Sequence, residues 1–132
     1  MKKLLILQMR PEDVTAQSEF EAIVRFSGLD TAGVDRIRLE QVPVPEIELD
    51  AYWAIIAGGS PFDVSLPEAK KGAVQKRIEW FFVTLFDQII PMDFPFLGAC
   101  SGNGHLGKYC GATISSTYAE PIGTVMLTKT EA

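Results

Sequence analysis

A cysteine at position 100 has neighbours whose types and spacing could support nucleophilic chemistry. An apolar run ends at Gly98, Cys100 follows, and Gly102 precedes residues that favour a helix. This order of strand, tight turn and helix is the plan of a nucleophile elbow, in which the turn holds a reactive side chain above the carboxyl edge of a sheet. The glycines let strand and helix approach closely, and a helix N-terminus favours thiolate over thiol. The pattern therefore predicts that Cys100 is a nucleophile.

Two nucleotide-binding patterns overlap this stretch. Gly102, Gly104 and Gly107 spell the G-x-G-x-x-G of a dinucleotide-binding loop, and the segment from Gly102 to Lys108 spells most of a P-loop. The P-loop pattern fails at Tyr109, where a Ser or Thr hydroxyl should bind Mg²⁺. The dinucleotide pattern needs a long helix after its last glycine, and Gly111 is expected to end the helix after about two turns. Neither pattern uses a cysteine at the turn, so a nucleotide-binding α/β domain is the less favoured alternative.

The segment from Gly98 to Gly102 resembles the G-x-C-x-G elbow of class I glutamine amidotransferases, in particular of the GMP-synthase-like branch. A second motif precedes it in the order that the family has. Residues 54–61, with Gly58 and Gly59 at their centre, are similar to the family's strand that ends in Gly-Gly-x-Pro. The resemblance extends from the first predicted strand to the end of the chain.

This resemblance implies an enzyme that hydrolyses the side-chain amide of glutamine through a cysteine thioester and delivers ammonia to an acceptor. Cys100 would be the nucleophile, while Gly58, Gly59 and Ser101 would bind the substrate and its oxyanion through backbone N–H groups. The implied partners are glutamine and an ammonia-accepting synthase domain or subunit, with no cofactor and no metal. Gly104 stands where the family usually has Gln. This difference would remove one side-chain contact with the substrate.

The general base is not evident in the sequence. His105 is the only histidine, and five helical residues place it about 140° around the helix axis from Cys100. It is therefore predicted to be a surface or packing residue, and the same angle argues against a metal site that joins it to Cys100 and Cys110. Cys110, in an apolar helical turn, is predicted to be a structural cysteine.

The resembled family carries its catalytic His and Glu as His-x-Glu on a later segment, and no His-x-Glu occurs here. We therefore expect residues 1–132 to be a single domain, the front part of a glutamine amidotransferase domain truncated at its C-terminus. The isolated chain is expected to be inactive. The alternative is a non-catalytic regulatory or binding module of the same fold, which kept the elbow and lost the base.

Composition limits the class of protein and the cellular location in which it is expected. A hydrophobic content of 47% with 22% charged residues is typical of a globular domain, and a net charge of −5 argues against nucleic-acid binding. Two cysteines do not suggest a disulfide framework, so a reducing, cytoplasmic location is expected. The apolar stretches are too short to span a membrane. The sequence leaves homo-oligomerisation open.

Periodic patterns predict the elements that position the site. Gly28 should end the first helix, which carries Glu19 among its polar positions, and four basic residues should form a solvated face of the second helix. These are Lys70, Lys71, Lys76 and Arg77. Strands are predicted at residues 4–9, 34–39, 52–57, 94–98, 112–116 and 124–127, and helices at 15–26 and 68–86, before the short helix after Cys100.

Strands that alternate with helices predict an α/β fold, in which a three-layer, mostly parallel sheet has helices on both faces as in flavodoxin-like proteins. Residues 34–39 should lie near an edge of the sheet, because polar and apolar residues alternate there. Ligands of such folds bind at the carboxyl ends of the strands. We therefore expect the loop at Gly58 and Gly59 to meet Cys100 at one site.

Overall fold

The computed structural model describes residues 1–119 and 123–131 and contains a four-stranded, all-parallel sheet. The strands are arranged in the order β2-β1-β3-β4. Their bounds are β1, Lys3–Gln8; β2, Val34–Arg38; β3, Tyr52–Ala57; and β4, Phe96–Gly98. The helices are α1, Asp13–Ser27; α2, Ala73–Ile89; and α3, Ser101–Tyr109. The predicted α/β fold with a parallel sheet is confirmed, and its strand order is that of flavodoxin-like folds.

Helices cover both faces of the sheet because its central strands are apolar on both sides. Strand β1 is buried almost throughout, as expected for the centre of a parallel sheet. On one face its side chains pack with α2, whose buried residues include Phe82 and Phe86. On the other face Leu4 and Ile6 pack with apolar residues of α1. The three predicted layers are therefore present.

Helix α1 ends where the sequence predicted. Gly28 has φ 71° and ψ 10°, a left-handed conformation that glycine adopts without strain. Among the strands of the described residues, β2 pairs only with β1 and lies at the edge of the sheet, as its alternating pattern predicted.

The strand register brings the loops of the site together. Leu7 of β1 lies beside Ala57 of β3, and Ala57 lies beside Gly98 of β4. The three strands therefore end at the same level, so the loops that follow them share one edge of the sheet.

Two of the predicted strands are wrong. Residues 112–116 and 124–127 carry no strand structure, and most of their side chains are exposed. A strand needs a neighbour for its backbone groups, and neither segment pairs with β4 or with the other within residues 1–119 and 123–131. Their local β propensity alone did not decide their structure.

The solvated face predicted for the second helix is also partly wrong. Lys70 and Lys76 are exposed, but the Lys71 side chain is 1% exposed and lies 2.7 Å from Glu68 and 2.8 Å from Glu79. Burial alone would lower the pKa of Lys71, but its hydrogen bonds to the two carboxylates raise it above the usual range. Arg77 instead donates to backbone carbonyls after β2. A short 3₁₀ helix at Glu68–Lys70 precedes α2 and turns Lys71 inward.

In the part of the chain described, no helix has the length and apolar character needed to cross a membrane.

Candidate active site

Cys100 occupies the tight turn between β4 and α3 in a backbone conformation that is rare for any residue but glycine. Its φ is 54° and its ψ is −111°, and the first helical turn begins at Ser101. A residue other than glycine in such a region costs on the order of 1–3 kcal/mol and clusters at functional sites. The side chain is exposed and the cysteine is free. The predicted elbow is therefore present in its geometry.

Two glycines allow the elbow to form. A Cβ atom on Gly98 would lie 2.5 Å from the carbonyl carbon of Gly102, and a Cβ atom on Gly102 would collide with the carbonyl oxygen of Ala57. Both obstacles are backbone atoms, which cannot rotate away as a side chain can. Strand β3, strand β4 and helix α3 therefore meet at a distance that only glycine permits.

The loop after β3 is tied to the elbow, as the sequence predicted from their places at the sheet edge. The hydroxyl oxygens of Ser60 and Ser101 lie 2.7 Å apart, and Gly102 N–H donates to the carbonyl oxygen of Gly58 over 3.1 Å. A Cβ atom on Gly59 would lie 3.4 Å from the Cβ of Cys100. Gly58, Gly59, Ser101 and Cys100 are thus all brought to one site.

A partly buried polar network, which the sequence did not predict, supports this loop. Glu19 lies on the face of α1 that turns toward the loop, not on the solvent side, because its carboxylate accepts three hydrogen bonds. The donors are Gln8 Nε2 at 2.9 Å, Arg10 Nε at 2.8 Å and Gly59 N–H at 3.2 Å. Gln8 is fully buried and also donates to the Ala16 carbonyl. The only sequence signal was a polar residue inside a buried strand.

This network includes one of the two N–H groups that were predicted to bind an oxyanion. The N–H of Gly59, which was expected to bind the oxyanion, already donates to the Glu19 carboxylate. The N–H of Ser101 stands at the first position of α3, where no intrahelical acceptor exists. Of the two predicted donors, the N–H of Ser101 therefore has no intrahelical acceptor, whereas the N–H of Gly59 is already bound to a carboxylate.

His105 is a packing residue, one of the two roles that its helical position predicted. It is 5% exposed, and its ring stacks on Phe82 with centroids 4.4 Å apart. Burial, together with the positive charges of Lys108 and Lys71, lowers the pKa of His105 to about 4. Its Nε2 has no hydrogen-bond partner among the described residues. With a pKa lowered to about 4 and its ring held by stacking on Phe82 of α2, this imidazole is a poor general base for Cys100.

The lowered pKa of His105 predicts a pH-dependent stability. Between pH 6.5 and pH 4 the imidazole is protonated in the unfolded chain and neutral in the folded chain. The free energy of unfolding therefore decreases as the pH drops from 6.5 toward 4. The loss should reach on the order of 3 kcal/mol by pH 4. Urea unfolding of wild type and His105→Phe across this range should show a flatter profile for the variant. The contributions of Asp and Glu residues to the pH dependence are common to both proteins. Parallel profiles would therefore show that His105 is not the source of the stability loss.

Cys110 differs from the prediction of a structural cysteine. It is exposed and caps the C-terminal end of α3, where its N–H donates to the Leu106 carbonyl. The helix ends there and Gly111 takes a left-handed φ of 86°, so the second turn leaves Cys110 outside the core. The two free thiols therefore stand at opposite ends of the same helix dipole, with Cys100 at the positive end.

The glycine patterns that suggested nucleotide binding fall inside helix α3 and do not form an open loop. Gly102 N–H donates to the carbonyls of Ala99 and Gly58, and Gly104 N–H donates to the carbonyl of Cys100. A phosphate-binding loop needs such N–H groups free. The geometry therefore gives the nucleotide alternative no support.

Comparisons of this chain with protein-family profiles, with curated proteins and with solved structures found no match. The candidate site is therefore interpreted from its own geometry.

Proposed function

We propose that Cys100 is the nucleophile of a glutamine amidotransferase or glutaminase reaction. The observation that carries the proposal is the backbone of Cys100, which is held at φ 54° and ψ −111° between a strand and a helix N-terminus. This strained turn presents an exposed sulfur at the edge of a parallel sheet, which is the arrangement of an elbow nucleophile. The motif resemblance around Gly98 and Gly58 supports glutamine as the substrate.

In the proposed reaction the thiolate of Cys100 attacks the side-chain amide carbon of glutamine. The tetrahedral oxyanion is stabilised by the N–H of Ser101 and, once Glu19 releases it, by that of Gly59. Collapse expels ammonia, which must gain a proton, and leaves a thioester on Cys100. Water then releases glutamate and regenerates the thiol. An ammonia-accepting domain or subunit would consume the ammonia.

Proton transfer in this scheme needs an imidazole that does not come from His105. A positioned base commonly contributes about 10²–10⁴ to the rate, and His105 is buried against Phe82. We therefore expect the 132-residue chain to react once with a reactive glutamine analogue and not to release ammonia from glutamine in repeated turnovers.

A second function is favoured by one observation. The Gly59 N–H is occupied by the Glu19 carboxylate, as would suit a regulatory or binding module that kept the elbow without catalysis. Such a module would bind no glutamine-like electrophile at Cys100 in preference to other thiol reagents.

Treatment with the chloroketone analogue of glutamine tests both candidates. We expect one adduct per chain, on Cys100 and not on Cys110, with a rate that saturates with reagent and falls when glutamine is added. A simple chloroketone without the amino-acid part should show neither saturation nor protection. Peptide mass spectrometry locates the adduct, and Cys100→Ser should remove it. Equal labelling of the two cysteines, or a rate that never saturates, would reject the amidotransferase proposal.

A further inference from the structure

Arg10 is a cation beside the candidate nucleophile whose role is not explained by the elbow. Its side chain is 28% exposed and follows β1 at the same sheet edge as Cys100. A Cβ atom on Gly59 would lie 2.5 Å from Arg10 Nη2 and 3.4 Å from Cys100 Cβ. Those atoms are thus within about 6 Å of each other, a separation at which charges interact measurably near a protein surface.

The guanidinium of Arg10 is oriented by one hydrogen bond, and within the described residues its other N–H groups remain available. Glu19 accepts a hydrogen bond from Nε, and its other two hydrogen bonds come from Gln8 and Gly59. Within residues 1–119 and 123–131, neither Nη group of Arg10 donates to a protein acceptor. An arginine fixed at Nε presents its two outer nitrogens as a fork that suits a carboxylate.

Arg10 also lines a cavity of about 240 Å³ together with Pro11, Glu12, Thr15 and Pro61. The cavity lies between the loop that follows β1 and the loop that follows β3, and Arg10 is common to it and to the surroundings of Gly59. Glu12 adds one negative charge to the same walls. A bare anion bound at Arg10 would face that charge, whereas a carboxylate next to an ammonium group would satisfy both side chains.

We propose that Arg10 and Glu12 form the subsite for the charged end of an α-amino-acid substrate, with Arg10 binding the carboxylate and Glu12 the ammonium group. The inference rests on the proposed function for the place of Cys100 and adds the residues that would select a free amino acid. It does not depend on which amide or acyl group the side chain of that amino acid carries.

Small alkylating reagents of different charge test the subsite without requiring turnover. Iodoacetate and iodoacetamide present the same CH₂–I carbon to a thiolate and differ in charge. The sulfur attacks that carbon, which forms a thioether and releases iodide. The ratio of their rate constants at Cys100, measured by peptide mass spectrometry, reports the local preference for an anion. The same ratio at Cys110 is an internal reference in each protein.

We expect Arg10→Gln to lower the iodoacetate-to-iodoacetamide ratio at Cys100 about fivefold and to leave the ratio at Cys110 within about twofold. Arg25→Gln, which removes the same charge from the exposed end of α1, is the matched control and should change neither ratio. Arg10→Lys keeps the charge and should retain most of the preference. Added salt should lower the wild-type ratio at Cys100 more than at Cys110, which tests the charge without any substitution.

The ammonium half is tested with 2-bromoethylamine, which carries a positive charge and transfers an aminoethyl group to sulfur with loss of bromide. Glu12→Gln should lower its rate at Cys100, relative to iodoacetamide, about threefold.

If Arg10→Gln changes the iodoacetate ratio no more than Arg25→Gln does, the carboxylate subsite is wrong. If Glu12→Gln leaves the 2-bromoethylamine ratio unchanged, the assignment to amino acids is wrong. A shift at Arg10 combined with no saturation by the glutamine chloroketone would retain the subsite and reject glutamine.

Discussion

Gly59→Val is expected to slow the reaction of Cys100 with the glutamine chloroketone by about 10²–10³, because the new side chain would keep the oxyanion from the Gly59 N–H, and the loss of one oxyanion contact has an effect of this size. The first carbon of the new side chain would lie 3.4 Å from Cys100 Cβ, where the tetrahedral oxyanion must form. It would also lie 2.5 Å from Arg10 Nη2, but this is the end of a long side chain and can move. The fold should therefore survive the substitution.

Rates of inactivation with the chloroketone and with iodoacetamide separate obstruction of the oxyanion from general crowding around the thiol. Iodoacetamide is smaller and forms no tetrahedral adduct, so its rate should fall no more than about tenfold. Gly72→Val is the matched control, because a Cβ atom on Gly72 meets no atom within 4 Å. A chloroketone rate that matches wild type in Gly59→Val would remove Gly59 from the site.

The second large effect concerns stability. Gly102→Ala should lower the free energy of unfolding by about 3 kcal/mol, at the upper end of the usual cost of overpacking. The added carbon would meet the carbonyl oxygen of Ala57 and lie 2.9 Å from the Ala57 Cβ, within buried strand β3. That carbonyl already accepts a hydrogen bond from Ala99 N–H, so it cannot shift without loosening the turn.

Gly107→Ala is a control in the same helix with the opposite expected sign. Its new carbon would make ordinary contacts of 3.6 Å with Ile114 and 3.7 Å with Ala112, and alanine favours a helix over glycine by up to about 1 kcal/mol. Urea unfolding of the two variants and wild type measures both changes. If Gly102→Ala were as stable as Gly107→Ala, the close approach of β3 and α3 would not be required for folding.

The sequence predicted the elements that depend on local pattern and failed where long-range partners decide. Apolar runs identified β1 and β3 because central parallel strands are buried on both faces whatever surrounds them. The elbow was visible because Gly98 and Gly102 are needed by the turn itself. By contrast, residues 112–116 have the composition of a strand, but no described strand pairs with them.

Polar residues show the same limit. Glu19 and Lys71 occupy positions that a helical or charge pattern assigns to solvent, and both are turned inward by hydrogen-bond partners that this pattern does not reveal. Glu19 meets Gly59, 40 residues away, and Lys71 meets Glu79 across the turn before α2. Charge periodicity cannot reveal such pairs, because the energy that holds each side chain inward comes from its partner.

Under the proposed function, the conformation of Cys100 would place stability and reactivity in conflict at position 100. At φ 54° and ψ −111° a glycine would sit without strain, so Cys100→Gly should make the fold harder to unfold, although it deletes the sulfur. Selection for stability alone would therefore replace the cysteine. Relatives of this protein that do not use the thiol could carry glycine at position 100. The residue at this position would therefore indicate whether a relative still needs a reactive side chain there.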